Sequence, residues 1–129
     1  KHAKDQIKRF NIATPSHQQK MLNLSGGNQQ KCLLSMWMSK DPKVLIFDEP
    51  TRGVDVGAKS EIYEKIREFV ANGNGAIVIS SDLPELLGIC DRLLIMYQGK
   101  VRGELQSDEF SEETVMSFAS GLAKANCFQ

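Results

Sequence analysis

Apolar residues along the chain form two patterns, continuous runs of strand length and helical spacings between them. The runs Val44–Phe47 and Ala76–Ile79 predict strands that are buried on both faces, as in a parallel sheet covered by helices. Apolar spacings of three and four predict helices over about residues 2–10, 28–39 and 57–71. Because strands alternate with helices, the pattern predicts an α/β fold, a mainly parallel sheet with flanking helices.

Beyond residue 80 the pattern changes to a short helix, a hairpin and a last helix. An Asp-x-x-Glu capping pattern at residues 82–85 predicts the short helix. The runs Leu93–Tyr97 and Val101–Leu105 flank a Gln-Gly turn, which predicts an antiparallel hairpin near 93–105. A serine and two glutamates at 111–113 predict the start of the last helix. On the predicted helix 57–71, Glu61 and Lys65 have the spacing of an ion pair.

Composition excludes several classes of function. The chain has 129 residues, 16 Lys and Arg, 16 Asp and Glu, and a formal net charge of 0, without the basic cluster of a nucleic-acid surface. No apolar run approaches the roughly 18 residues of a membrane span. Two histidines and three widely spaced cysteines fit neither a zinc site nor a disulfide framework, so we expect Cys32 and Cys90 to be packed thiols and Cys127 a tail residue. The first residue is not methionine, and we expect a piece of a longer protein.

Two carboxylates, Asp48 and Glu49, follow directly on the predicted strand at Val44–Phe47. Ligands of open α/β sheets gather at the carboxyl ends of the strands. A carboxylate there can hold Mg²⁺, and its neighbour can orient or deprotonate a water molecule. Solvated loop acids after a strand are the alternative interpretation.

The segment Ser25-Gly26-Gly27-Asn28 stands just before a predicted helix. The free N–H groups and the dipole of a helix start favour an anion, and glycine lets a phosphate approach the backbone. Ser25 adds a hydroxyl donor. An ordinary serine N-cap with a flexible entry to the helix is the alternative.

Taken together and in this order, the segments resemble the ATP-binding cassette ATPases of the P-loop NTPase class. The resemblance covers roughly residues 20–105 and includes the signature, the Walker B strand, the D-loop and the stretch after the switch loop. These motifs correspond to Leu24–Gly27 (with Asn28 where many members carry Gln), Val44–Glu49, Thr51–Asp55 and Asp91–Val101. Residues 28–31, 52–59 and 80–85 further resemble the second cassette of tandem ATPases in bacterial monosaccharide importers of the ribose, galactose and xylose type.

The sequence departs from the family in two ways. The phosphate-binding Gly-x-x-x-x-Gly-Lys-Ser/Thr loop does not occur in the 129 residues. In the family this loop lies upstream, so we expect the chain to begin after it and to be inactive alone. The second departure is Ser81, at the position of the switch histidine. Serine lacks the imidazole that contacts the γ-phosphate and water, which implies a weakened site.

The resemblance implies a role for each site residue. Ser25, Gly26, Gly27 and Asn28 would contact ATP held by a partner cassette, and Asp55 would belong to the D-loop. In this cassette's own site, Asp48 would hold Mg²⁺ through water, Glu49 would be the general base, and Ser81 would be a degenerate switch residue.

The same resemblance implies an architecture and partners. The fold would be a partial P-loop NTPase, with the helical subdomain and signature helix at about 1–40, the core at about 43–105 and a C-terminal helix and tail at about 106–129. Partners would be the other cassette of the same tandem protein or a second copy, membrane permease subunits and, indirectly, a periplasmic sugar-binding protein, with no nucleic acid. The location would be the cytoplasmic face of the cell membrane. A non-transport cassette ATPase of DNA repair or translation, and an inactive interaction fragment, are the alternatives.

Overall fold

The structure is a computed structural model that describes residues 2–124, so Cys127 lies outside the described residues. Its strands and helices follow the predicted order and differ from the predicted bounds by one or two residues at their ends. Short 3₁₀ turns lie at Met21–Asn23 and Ser107–Glu109. The other elements are α1 (His2–Arg9), α2 (Gly26–Met38), β1 (Val44–Asp48), α3 (Val56–Ala71), β2 (Gly75–Ile79), α4 (Leu83–Ile89), β3 (Arg92–Tyr97), β4 (Lys100–Gln106) and α5 (Glu112–Ala119).

The chain divides into two compact units, one that extends to Ile79 and one that begins at Ser80. In the first unit β1 pairs in parallel with β2, with Phe47 opposite Val78. One face of this sheet packs on α2 and α3, and Phe47 and Val78 point into the core that they form. The buried core residues of this unit are Phe10, Ile12, Leu34, Met38, Phe47, Ile62, Ile66 and Phe69.

The opposite face of the β1–β2 sheet is exposed, and the prediction that these strands are buried on both faces is wrong for the described residues. Ile46 is 64% exposed and its partner Ile77 is 52% exposed. Val44 and Ile79 lie on the same face and are also exposed. A continuous apolar run is typical of a strand between two helical layers. In residues 2–124 only one layer packs on the sheet, and the sequence pattern does not show where a second layer comes from.

The second unit is built on the predicted antiparallel hairpin, β3 paired with β4. The connecting residues Gln98 and Gly99 both have positive φ, 49° and 74°, as a tight hairpin turn with the native twist requires. Helix α5 covers one face of the hairpin. A Cβ atom at Gly103 would lie 2.8 Å from the ring of Phe118, so glycine is needed for this packing. The buried residues of this unit's core are Leu93, Ile95, Leu105, Val115 and Phe118.

The two faces of β1 give a direct test of the one-sided sheet. We expect Phe47→Ala to lower the free energy of unfolding of the chain by about 3–5 kcal/mol, because a buried aromatic ring leaves a cavity. Ile46→Ala, its exposed neighbour, should change it by no more than about 0.5 kcal/mol. Urea unfolding followed by circular dichroism measures both. Equal losses would mean that both faces of β1 are covered in solution.

Candidate functional site

The signature segment forms the N-terminal end of α2. Ser25 is the N-cap residue, with extended backbone angles, and its Oγ accepts the backbone N–H of Asn28. This cap explains why the helix begins at Gly26 and not, as predicted, at about residue 28, since the two glycines form its first turn. Ser25 and Gly26 are exposed, whereas Gly27 is buried.

The two glycines, identical in the sequence, differ in their surroundings. A Cβ atom at Gly27 would lie 2.6 Å from Cβ of Ala58, a distance at which one of the two must move. A Cβ atom at Gly26 would meet only the carbonyl oxygen of Gly53, at 3.5 Å. Glycine at 27 therefore allows the close approach of two helices, whereas the outer side of Gly26 stays open.

The helix that Gly27 contacts is α3, whose N-cap is Asp55. The Asp55 carboxylate accepts the backbone N–H of Ala58 at 3.0 Å, in the same way that Ser25 caps α2. The predicted signature and D-loop segments are thus brought together, with the first turns of α2 and α3 in contact. Helix N-termini carry partial positive charge, which the Asp55 carboxylate offsets at α3, so the N-terminus of α2 with its neutral Ser25 cap is the end that favours a negatively charged ligand.

The side chain of Asn28 links the first turn of α2 to the segment that carries Ala13. Its Oδ1 accepts the backbone N–H of Ala13 at 2.8 Å, and its Nδ2 donates to Oγ of Ser25 at 2.8 Å. The segment that carries Ala13 is thereby tied to the N-terminal turn of α2. This segment, which lies between α1 and the 3₁₀ turn at Met21–Asn23, is therefore part of the support of the site.

Lys31 and Glu61 are two supporting residues that the sequence interpretation missed. Lys31 is 5% exposed, and its Nζ lies 2.6 Å from both the carbonyl oxygen of Asn11 and Oε2 of Glu61. The predicted pair of Glu61 with Lys65 is wrong, since Lys65 pairs with Glu68 at 2.8 Å. A charge pair between residues 31 and 61 joins two helices, and helical spacing shows only pairs within one helix.

The predicted carboxylates lie where β1 ends. Asp48 is the last residue of the strand and is exposed. Glu49 has φ 48°, a left-handed backbone conformation that residues other than glycine disfavour. Its backbone N–H donates to the carbonyl oxygen of Ile79 at 2.8 Å. Such backbone strain is concentrated at functional sites, which supports a role for this corner.

Ser81 belongs to the second unit, two residues after the end of β2. Its neighbour Ser80 donates a short hydrogen bond from Oγ to Oε2 of Glu85, a carboxylate that is only 4% exposed. Ser80 Oγ also accepts the N–H of Asp82, the N-cap residue of α4. Internal hydrogen bonds therefore hold the turn that contains Ser81 to the start of α4.

The described thiols and acids do not form a metal or thiolate site. Within residues 2–124 no group of three His, Cys, Asp or Glu side chains could hold a metal ion. Burial raises the pKa of the Cys32 and Cys90 thiols, so both are mainly protonated at neutral pH and poor nucleophiles. Both are partly buried and pack against the cores of their units, as predicted for packed thiols.

Comparison with known proteins gives the class of the fold and the family. The family model for ABC transporters matches residues 1–52. The fold is similar to an ATP-binding cassette of an ABC transporter in its ADP conformation, with a TM-score of 0.72 and 24% identity over 92% of this chain and 45% of that one. A dimeric cassette in a post-hydrolysis state bound to ADP and phosphate gives 0.73 and 21% identity over 84% and 47%. The architecture is thus a partial cassette of the P-loop NTPase class.

Sequence relatives then narrow the assignment within that class. A ribose import ATP-binding protein of Clostridium perfringens is 55% identical over 90% of this chain and 23% of its own length. A xylose import ATP-binding protein of Thermoanaerobacter pseudethanolicus is 50% identical over 94% and 24%. The chain belongs to the ATP-binding cassette family and is similar to its sugar-import members. It spans about a quarter of the length of these curated relatives.

The contact at Gly27 predicts different costs for the two signature glycines. Gly27→Ala should lower the free energy of unfolding by about 1–3 kcal/mol, because its Cβ would overlap Ala58. Gly26→Ala is the matched control and should be nearly neutral. Adding Ala58→Gly to Gly27→Ala should recover part of the loss. Urea unfolding of the unchanged chain, Gly27→Ala, Ala58→Gly and the double variant forms a double-mutant cycle. Equal losses for the two glycines, or no recovery, would contradict the close approach.

Proposed function

We propose that the chain is the C-terminal part of the second cassette of a tandem ATPase that couples ATP binding and hydrolysis to monosaccharide import. Relatives named for ribose, xylose and arabinose import are 50–55% identical to it. The chain covers 45% of a single cassette but 23% of the ribose relative, so that relative is about two cassettes long. This ratio favours a tandem protein. No relative among these is named for DNA repair or translation.

The contact between the first turns of α2 and α3 is the observation that carries the proposed site. It makes one surface of the signature and the D-loop, on which Ser25 and Gly26 are exposed. Their hydroxyl and N–H groups are donors for a phosphate of ATP held by a partner cassette. Gly27 contributes to this surface by its close packing, and Asp55 by capping α3.

In this cassette's own site, Asp48 and Glu49 have separate roles. Asp48 is an exposed carboxylate that would hold Mg²⁺ through water. The ion would supply positive charge next to the phosphates of the substrate ATP. Glu49 would accept a proton from the attacking water as general base, and the left-handed turn at this residue sets the direction of its side chain.

Ser81 makes the site of this cassette the weaker one. A hydroxyl at the switch position can donate a hydrogen bond but, unlike a histidine ring, cannot take up a proton and become positively charged near neutral pH. The signature surface of the chain would therefore matter most for the ATP bound by the other cassette.

We also propose the subdomain boundaries given above, with the helical part ending at about residue 40.

The proposed partners follow from the same function. They are the other cassette or a second copy, membrane permease subunits and, indirectly, a periplasmic sugar-binding protein. Among the described residues, no helix is both long and apolar enough to cross a membrane. In this proposal the chain lies at the cytoplasmic face of the membrane and is attached there through the permease.

The chain alone should not turn over ATP, because the phosphate-binding loop is absent from its 129 residues. We expect the rate of phosphate release by the pure chain to equal that of its Glu49→Gln variant. A colorimetric phosphate assay with Mg²⁺ present measures both. Steady turnover that Glu49→Gln abolishes would show that the chain is active without this loop.

In the assembled importer, the signature should matter more than Glu49. Gly26→Asp and Ser25→Arg should lower ATP turnover by at least about 10², since they block the phosphate position and remove donors aimed at its charge. Glu49→Gln should be milder, because its site already lacks the histidine. ATP turnover by the reconstituted importer tests this. Loss with Glu49→Gln and near-normal turnover with Gly26→Asp would reverse the assigned roles.

A further inference from the structure

The side chain of Asn28 is bonded at both ends, and its orientation is fixed. The backbone N–H of Ala13 can only donate, so the atom that faces it at 2.8 Å must be the carbonyl oxygen Oδ1. The amide nitrogen Nδ2 then faces Oγ of Ser25, also at 2.8 Å, and can only donate to it. A flipped amide would place a donor against a donor at Ala13.

This orientation dictates the direction of the Ser25 hydroxyl. A serine hydroxyl has two acceptor positions and one hydrogen. Oγ of Ser25 receives one hydrogen bond from the backbone N–H of Asn28, at 3.4 Å, and one from its Nδ2, at 2.8 Å. With both acceptor positions occupied, the hydroxyl hydrogen remains for a donor bond away from Asn28. Ser25 is exposed, so its hydroxyl hydrogen is accessible to an acceptor outside the chain.

The anchor of Asn28 is itself held at several points. Lys31 lies three residues further along the same side of α2 and binds the carbonyl oxygen of Asn11. Between the two anchored residues, Ile12 is 7% exposed and belongs to the core. The backbone at Ala13 is therefore fixed relative to α2, and Asn28 cannot easily turn away from Ser25.

We infer that Asn28 is a positioning residue that makes the Ser25 hydroxyl a dedicated donor to an anionic phosphate oxygen of the nucleotide. This inference rests on the proposed function, in which Ser25 faces the ATP of a partner cassette. It assigns Asn28 an action through Ser25 and not a contact of its own with the nucleotide. A donor already directed at the phosphate needs no reorientation when charge develops there.

A double-mutant cycle in the reconstituted importer separates the two kinds of action. Ser25→Ala should lower kcat by about 10²–10³, as for other removed donors. Asn28→Leu, similar in size but without an amide, should lower it by roughly tenfold or more. If Asn28 acts through Ser25, adding Asn28→Leu to Ser25→Ala should change kcat by less than about twofold. Multiplied effects would overturn the inference and indicate a direct contact of Asn28.

A second variant tests the direction of the hydrogen bond. Asn28→Asp has nearly the same shape and replaces the donor Nδ2 by a carboxylate oxygen. This oxygen would accept a hydrogen bond from the Ser25 hydroxyl, which would then no longer donate to the phosphate. We expect a larger loss than with Asn28→Leu. Asn23→Asp is the matched control, because it adds the same charge at an exposed residue two positions before Ser25. An equal loss of kcat with Asn28→Asp and Asn23→Asp would mean that the added charge alone causes it, which would contradict the inference.

Binding supplies a readout that does not depend on turnover. The affinity of the assembly for a non-hydrolysable ATP analogue, measured by fluorescence with Mg²⁺, should follow the same non-additive pattern. If melting curves show Asn28→Leu to be unfolded, Asn28→Gln replaces it. The kcat of Asn28→Gln and its affinity for the ATP analogue should both stay well above those of Asn28→Asp. Equal values for these two variants would overturn the inference. No effect of Ser25→Ala would overturn the proposed signature role as well, whereas multiplied effects would leave that role intact.

Discussion

The close approach of α2 and α3 at Gly27 and Ala58 is the constraint on which the first unit depends. With so little space between the two first turns, any side chain at residue 27 would separate the helices and with them the segments predicted as signature and D-loop. The ion pair between the buried Lys31 and the partly exposed Glu61 joins the same helices further along. Removal of Glu61 would leave the buried charge of Lys31 without its carboxylate partner, so this contact also resists a change in the helix positions.

The order and type of the elements could be predicted from the sequence, because apolar spacing and capping residues act locally. Helix α2, the two parallel strands and the hairpin were predicted in this way and lie where expected. The exposed face of β1 was not predicted, because burial depends on what packs there and Ile46 has the same apolar character as its buried neighbour Phe47. The same limit applies to Glu61, whose partner Lys31 is thirty residues away.

The candidate site shows the same division between local and distant causes. Motif order and residue chemistry predicted Ser25, Gly26 and Asp48 as candidate ligands of ATP and Mg²⁺, and these roles remain predictions. The difference between Gly26 and Gly27 could not be read from two identical letters, since it arises from Ala58 on another helix. The orientation of the Asn28 amide likewise depends on a backbone N–H fifteen residues earlier.

The left-handed backbone at Glu49 has a consequence for how this corner of the molecule can evolve. Glycine adopts a φ of 48° without the steric cost that every other residue meets there. Selection for stability alone would therefore favour glycine at this position and lose the carboxylate. In the proposed function Ser81 weakens this cassette's own site, which would reduce the pressure to keep the acid. Position 49 would then be a place where drift toward a more stable and catalytically silent cassette meets little resistance.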